Sequence, residues 1–214
     1  MTNDAPRAET GPPGSGQIVI LNGEPRCGKT SIARALQEDA SQPWLNLGVD
    51  AAMRWLPERL HPGIGLRPGG ERPDLVETVV SLYGALYDAI AAHARRGLNV
   101  VVDAGLHESY ARPLTIVGDC ARQLRGLPVL FVGVRCAPDV IWQRRARTWG
   151  QHRESADPSL LDTVARWPEA VHAFAYDLEV DTSGSTPADC AARVLSRLAD
   201  GPPGWAFGQL AERR

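Results

Sequence analysis

The sequence almost lacks lysine: of 23 basic residues, Lys29 is the single lysine and the other 22 are arginines. Such a preference points to a GC-rich coding bias, so the one position that keeps lysine calls for a chemical reason. The chain also lacks an excess of either charge, with 23 basic against 25 acidic residues and a sequence pI of about 6.2. No strongly basic face is implied, and nucleic acid is not the expected partner. Cysteine is scarce. The four (Cys27, Cys120, Cys136, Cys190) are widely spaced and form no CxxC pair, which fits reduced thiols of a cytoplasmic protein better than a disulfide framework. The five histidines show no metal-ligand spacing. No apolar run reaches the roughly 18 residues of a membrane span. The opening "MTNDAPRAETGPPGSG" has no apolar stretch of the kind a secretory signal needs. No membrane association is expected.

What is present is enough for a full core: 214 residues, 43% of them hydrophobic, close to a single-domain length. Residues 1–16 read as a flexible Pro/Gly-rich lead-in, 17–199 as the folded domain, and 200–214 as a tail docked by Trp205 and Phe207. Within the domain, short apolar runs alternate with helical patterns. Strands are expected at 17–22, 44–49, 98–105, 127–136 and 176–182. Helices are expected over 31–40, 51–56, 73–96, 108–124, 137–147, 157–173 and 187–199, with 58–72 a Pro/Gly-rich loop. This order predicts an α/β fold, a parallel sheet with helices on both faces and a ligand site beyond the carboxyl ends of its strands. Asp50, Asp103 and Arg135 fall at those ends.

The stretch "GEPRCGKT", Gly23 to Thr30, matches G-x-x-x-x-G-K-[ST] between a predicted strand and a predicted helix, the context that a P-loop requires. Such a loop wraps backbone N–H groups around phosphate and sets the helix N-terminus against it. Gly23 and Gly28 allow the curvature, Lys29 reaches the β- and γ-phosphates of ATP, and Thr30 offers a hydroxyl to Mg²⁺. The planar fork of arginine does not fit an enclosed loop that wants a point charge. That accounts for the lone lysine. Glu24, Pro25, Arg26, Cys27 and Ser31 complete the loop; Glu24 and Arg26 are bulky and expected to point outward, and Cys27 reads as a packed filler.

Two carboxylates have two readings each. Asp50, after the second strand, suits a base beside the acceptor hydroxyl or an N-cap of "AAMRWL". Asp103, closing "LNVVVD", suits a Mg²⁺-holding aspartate or a cap. Arg144, Arg145, Arg147 and Arg153 make either a lid that closes over phosphates or a solvated helix face. "DTSGSTPAD" makes either an adenine-side loop or a turn with a helix cap at Thr186.

The segments "ILNGEPRCGKTSIARALQ", "PWLNLGVD", "VVVDAGL", "VLFVGVRC" and "YDLEVDTS" resemble, in order and spacing, the chloramphenicol 3-O-phosphotransferase family over about residues 17–199. The resemblance implies a P-loop kinase fold and transfer of the γ-phosphoryl of ATP to a primary hydroxyl of chloramphenicol. By position it makes Asp50 the catalytic base, Gly23 to Thr30 the ATP-binding loop and Arg144 a lid arginine. The stretch "RRARTWGQHRE" is longer than the family's arginine–glycine segment, and 58–72 differs in detail. Arg147 and Arg153 carry over less directly, and the acceptor remains open. The expected activity is an ATP–Mg²⁺ kinase of a small-molecule hydroxyl, with chloramphenicol first among acceptors and a homo-oligomer compatible with the sequence. Another alcohol, a nucleoside or a nucleotide sugar is the alternative, and a regulatory ATPase acting on a protein is the rival from another class. A GTPase switch is disfavoured, because N-K-x-D recognition of guanine needs a second lysine.

Overall fold

The computed structural model describes residues 11–39, 41–61, 72–110 and 113–213. The expected flexible lead-in therefore lies, for residues 1–10, outside the described residues. So does 62–71 of the Pro/Gly-rich loop expected over 58–72.

Five parallel strands form one sheet in the order β2-β3-β1-β4-β5: β1 (Ile18–Asn22), β2 (Trp44–Asn46), β3 (Asn99–Ala104), β4 (Val129–Arg135) and β5 (Leu178–Asp181). The central strands are apolar on both sides because both faces are covered. In β1, Ile18 and Ile20 join one core cluster and Val19 and Leu21 the other, as the two-residue period of a strand requires. Helices α1 (Lys29–Asp39) and α7 (Pro187–Asp200) pack on the Val19 face through Ile32, Leu36, Cys190 and Val194. Helices α3 (Val76–Arg95), α4 (Ile116–Gln123) and α8 (Ala206–Gln209) cover the Ile18 face through Leu86, Tyr87, Ile90, Ile116 and Phe207. The remaining helices are α2 (Val49–Met53), α5 (Pro138–Trp149) and α6 (Pro158–Val171).

Three differences from the sequence expectations have local causes. Strand β2 is three residues long, since the chain turns at Gly48 into α2. Helix α4 begins at Ile116 instead of 108, after Pro113, which supplies no backbone donor and disfavours helix before it. The helical stretch Pro73–Arg95 is, by length and composition, apolar enough to cross a membrane, against the expectation that no run would be. Its apolar side is spent on β3 and α4, where each fully buried Leu or Ile side chain stabilises the fold by about 1.5–3 kcal/mol.

The tail packs into the core. Phe207 stacks on Tyr87 at 6.2 Å between ring centroids and meets Phe131 edge-on at 5.2 Å. Asp177 fastens its start, one carboxylate oxygen accepting from Trp205 N and Ala206 N and the other from Phe131 N.

Candidate active site

Strand β1 sits at the middle of the sheet, with β3 on one side and β4 on the other, and the glycine loop leaves its carboxyl end. Helix α1 starts at Lys29, so its first amides, which no helix can pair internally, belong to the loop. Gly28 turns the chain with φ +106°, a conformation that side chains other than glycine rarely adopt. The Lys29 ammonium is enclosed and donates to Gly23 O and Glu24 O, both at 2.9 Å. Burial works against its charge, but Cys27, Asp103, Glu24 and Asp50 outweigh burial and raise its pKa above the ordinary lysine value. Burial pushes the Cys27 thiol up to about 11, so it stays protonated as an inert filler, as expected.

Thr30 Oγ1 donates to Asp103 Oδ2, and Lys29 Nζ lies 3.8 Å from Asp103 Oδ1. Asp103 is inside β3, paired in register with Leu21, and is therefore not a helix cap. Thr30 and Asp103 present hard oxygen atoms. Among the described residues no group of three or more His, Cys, Asp or Glu side chains is placed to hold a metal ion. Two oxygen donors and no closed cage fit Mg²⁺, which keeps waters and takes its other ligands from substrate phosphates.

Asp50 lies within α2, whose N-cap is Gly48 with no side-chain cap bond. The capping explanation of Asp50 therefore does not apply. A Cβ on Gly48 would come within 2.9 Å of Asp103 Cβ, so its glycine is what lets α2 approach β3 and sets Asp50 beside the loop. Asp50, Lys29, Thr30 and Asp103 line one cleft of about 710 Å³.

The arginines divide. Arg144 Nη1 donates to Arg26 O (3.2 Å), Cys27 O (3.1 Å) and Thr182 Oγ1 (3.0 Å), while Nη2 donates to Thr182 O (2.8 Å). It reaches the cleft, but its hydrogen bonds hold the loop to the end of β5. Arg26 has φ 72° and stacks over the Trp149 ring at 3.8 Å, so it is engaged with α5 instead of pointing freely outward. Glu24 likewise turns inward and is buried against His172. Arg147 is exposed and does not line the cleft, and Arg153 pairs with Asp139 at 3.0 Å on the surface. Arg135 points to Glu179 at 2.8 Å, away from the chemistry. Of the two readings of "DTSGSTPAD", the structure shows the cap, with Thr186 and Asp189 forming a capping box for α7, while Thr182, Ser185 and Pro187 line the cleft.

Several cleft residues are not singled out individually by the sequence. Thr182 Oγ1 donates to Cys27 O at 2.5 Å, and Trp149 shapes the same end of the cleft. The opposite end is lined by Met53, Val79, Tyr83, His107 and Trp167. His107 is buried, with Trp167 edge-on at 5.8 Å and Tyr110 tilted at 4.4 Å. Nothing short of the fold brings residues 53, 83, 107 and 167 together.

The chain is similar across most of its length to proteins named as phosphotransferases and kinases. A Mycobacterium tuberculosis protein named "Putative O-phosphotransferase" is 28% identical, over 92% of this chain and 89% of its own. A Thermococcus kodakarensis protein named "Putative adenylate kinase" is 26% identical, over 86% of each chain. The structure of the Mycobacterium tuberculosis APS kinase, in complex with AMPPNP and APS, aligns with a TM-score of 0.54 at 17% identity, covering 87% of this chain and 99% of that one. That likeness shows the fold, a P-loop kinase sheet flanked by helices. The family model for chloramphenicol phosphotransferase-like protein matches residues 16–199. The protein is a small-molecule kinase, and the chain belongs to the chloramphenicol phosphotransferase-like family.

Proposed function

We propose that this kinase moves the γ-phosphoryl of ATP to a hydroxyl of a small aromatic alcohol, with chloramphenicol the first candidate. The observation that carries this reading is the shared cleft, lined by Lys29, Thr30 and Asp103 together with Asp50 and also by the aromatic side chains Tyr83, His107 and Trp167. In this reading the loop amides and Lys29 stabilise charge on the transferring phosphoryl. Thr30 and Asp103 would hold Mg²⁺, which would supply neutralisation of phosphate charge. Asp50 accepts the proton of the acceptor hydroxyl as its oxygen attacks phosphorus. Arg144 acts by keeping the loop in shape, and a phosphate role for Arg147 or Arg153 requires residues 147–155 to move toward the cleft. The free thiols Cys27, Cys120, Cys136 and Cys190 agree with a cytoplasmic setting.

Likeness to an archaeal protein named as an adenylate kinase favours, as a second reading, a nucleoside monophosphate acceptor. Against it, the cationic residues lining the cleft among the described residues are Lys29, Arg26 and Arg144, all at the loop end. A phosphate-bearing acceptor wants arginine at its own end. The test is a mass-spectrometric screen of small alcohols and nucleoside monophosphates for ATP-dependent gain of one phosphoryl group. Gain on chloramphenicol supports the first reading, and gain on AMP the second. Hydrolysis of ATP with no phosphorylated product would replace both with a regulatory ATPase.

A further inference from the structure

One cation of the cleft has no hydrogen-bonding task. Lys29 and Arg144 both donate to loop carbonyls. Arg26 lines the same cleft, yet among the described residues its guanidinium makes no hydrogen bond and no ion pair, and its Nε is buried without a partner. What holds it is the face of the Trp149 ring, 3.8 Å from Cζ to the centroid. Burial lowers the Arg26 pKa from the ordinary arginine value, and the facing charge of Asp50 works against that shift. A charged guanidinium with unused donors therefore stands in the field of the proposed base.

The backbone makes an arginine here hard to explain by shape. Arg26 has φ 72°, and among the described residues it is the one residue other than glycine with a positive φ. Glycine meets that conformation freely, whereas a long side chain meets it under strain. The loop does not need the side chain for its own shape, since Arg144 Nη1 holds the peptide through Arg26 O at 3.2 Å. Nor does the ring need it, because buried Arg145 also lies over Trp149, at 5.0 Å. Strain kept at a cleft position points to a use for the guanidinium itself.

The use follows from where the loop carries it. A P-loop wraps its amides around phosphate, so a side chain on its fourth residue can pass from ring to phosphate by rotation about a fixed Cα. The planar fork of arginine matches phosphoryl oxygens. A cation–π contact on an exposed ring is weaker than a charge-assisted hydrogen bond to phosphate, so phosphate displaces the ring. The other arginines do not compete. Arg144 is held by the loop and Thr182, and Arg147 is exposed and outside the cleft.

We propose that Arg26 is a further catalytic residue, which leaves Trp149 to contact the γ-phosphoryl of ATP with its guanidinium. This rests on the reading of the loop as the ATP-phosphate site. The experiment titrates the full-length chain with ADP–Mg²⁺ and with AMPPNP–Mg²⁺ by calorimetry, because only the second carries a γ-phosphoryl. Arg26→Gly relieves the backbone and should fold with a melting temperature no lower than wild type. Arg26→Gln keeps the bulk without the charge; should it fail to fold, Arg26→Gly decides alone. Both variants should bind AMPPNP about tenfold more weakly, the loss of a charge-assisted hydrogen bond, and ADP within about twofold of wild type. Trp149→Leu should keep the wild-type ratio of AMPPNP to ADP affinity, even where both affinities move together. Equal weakening of ADP and AMPPNP in the Arg26 variants would overturn the proposal in favour of a loop-shaping role, and unchanged affinities would overturn it outright. A ratio lost as far in Trp149→Leu as in the Arg26 variants would make the stacked pair structural and overturn it too. Wild type that binds neither nucleotide would remove the ATP reading of the loop along with the proposal, whereas the preceding outcomes leave that reading intact.

Discussion

The two ends of the cleft are built differently. At the loop end, the eight residues Gly23 to Thr30 supply much of the site, and side chains there are held in place: Lys29 by loop carbonyls, Thr30 by Asp103, and Arg144 and Thr182 against the loop backbone. At the other end, Met53, Val79, Tyr83, His107 and Trp167 come from separate segments and offer mainly apolar and aromatic surface. The contrast has a physical basis. Binding triphosphate charge demands many donors in fixed geometry, which a short tight loop provides. Holding an apolar acceptor demands only shape, which side chains from anywhere can provide. Substitutions at the two ends should accordingly fail in different ways.

Changes at the loop end should cost the most. Lys29→Arg keeps the charge but not the fit, and turnover at saturating ATP should drop by about a thousandfold in a folded protein. Activity within about threefold of wild type would remove the explanation of the lone lysine. Asp50→Asn should lower turnover by a factor on the order of a hundred while AMPPNP affinity and melting temperature stay near wild type. Asp103→Asn should raise the Mg²⁺ concentration for half-maximal rate by about tenfold. A changed melting temperature with an unchanged metal titration would make Asp103 structural only. At the far end the effect should be smaller and confined to the acceptor. Trp167→Phe should raise the acceptor KM about threefold and leave the ATP KM alone. An equal rise in both would mean that the two ends are not separable. The smallest effect concerns the thiols: a limiting alkylating agent at pH 8 should leave buried, protonated Cys27 unmodified while partly exposed Cys136 reacts, as peptide mass mapping would show.

The same contrast explains what could be read from the chain alone. The loop, the order of the strands and the gathering of Asp50 and Asp103 at the loop are legible in the sequence, because a P-loop is contiguous and its neighbours are strand ends. Position alone left Asp50 and Asp103 ambiguous between chemistry and capping. The structure removes the cap in both cases, through Gly48 at the start of α2 and through the in-strand pairing of Asp103 with Leu21. Spacing alone does not sort the arginine run, since it does not tell which side chains of a helix turn inward. Arg144 braces the loop backbone, whereas Arg147 and Arg153 stay at the surface. Glu24 was expected outside because bulky loop residues usually are. Its partner is 148 residues away, and no local pattern announces His172.

The account stands or falls on Asp50, the proposed base. The direct measurement is the pH–rate profile of acceptor phosphorylation for wild type and Asp50→Asn, with AMPPNP binding measured in parallel. The prediction is an acidic limb in wild type that disappears in the variant, with turnover lower by a factor on the order of a hundred and nucleotide binding intact. Near wild-type turnover in Asp50→Asn, with the acidic limb still present, would contradict the assignment of Asp50 as the base.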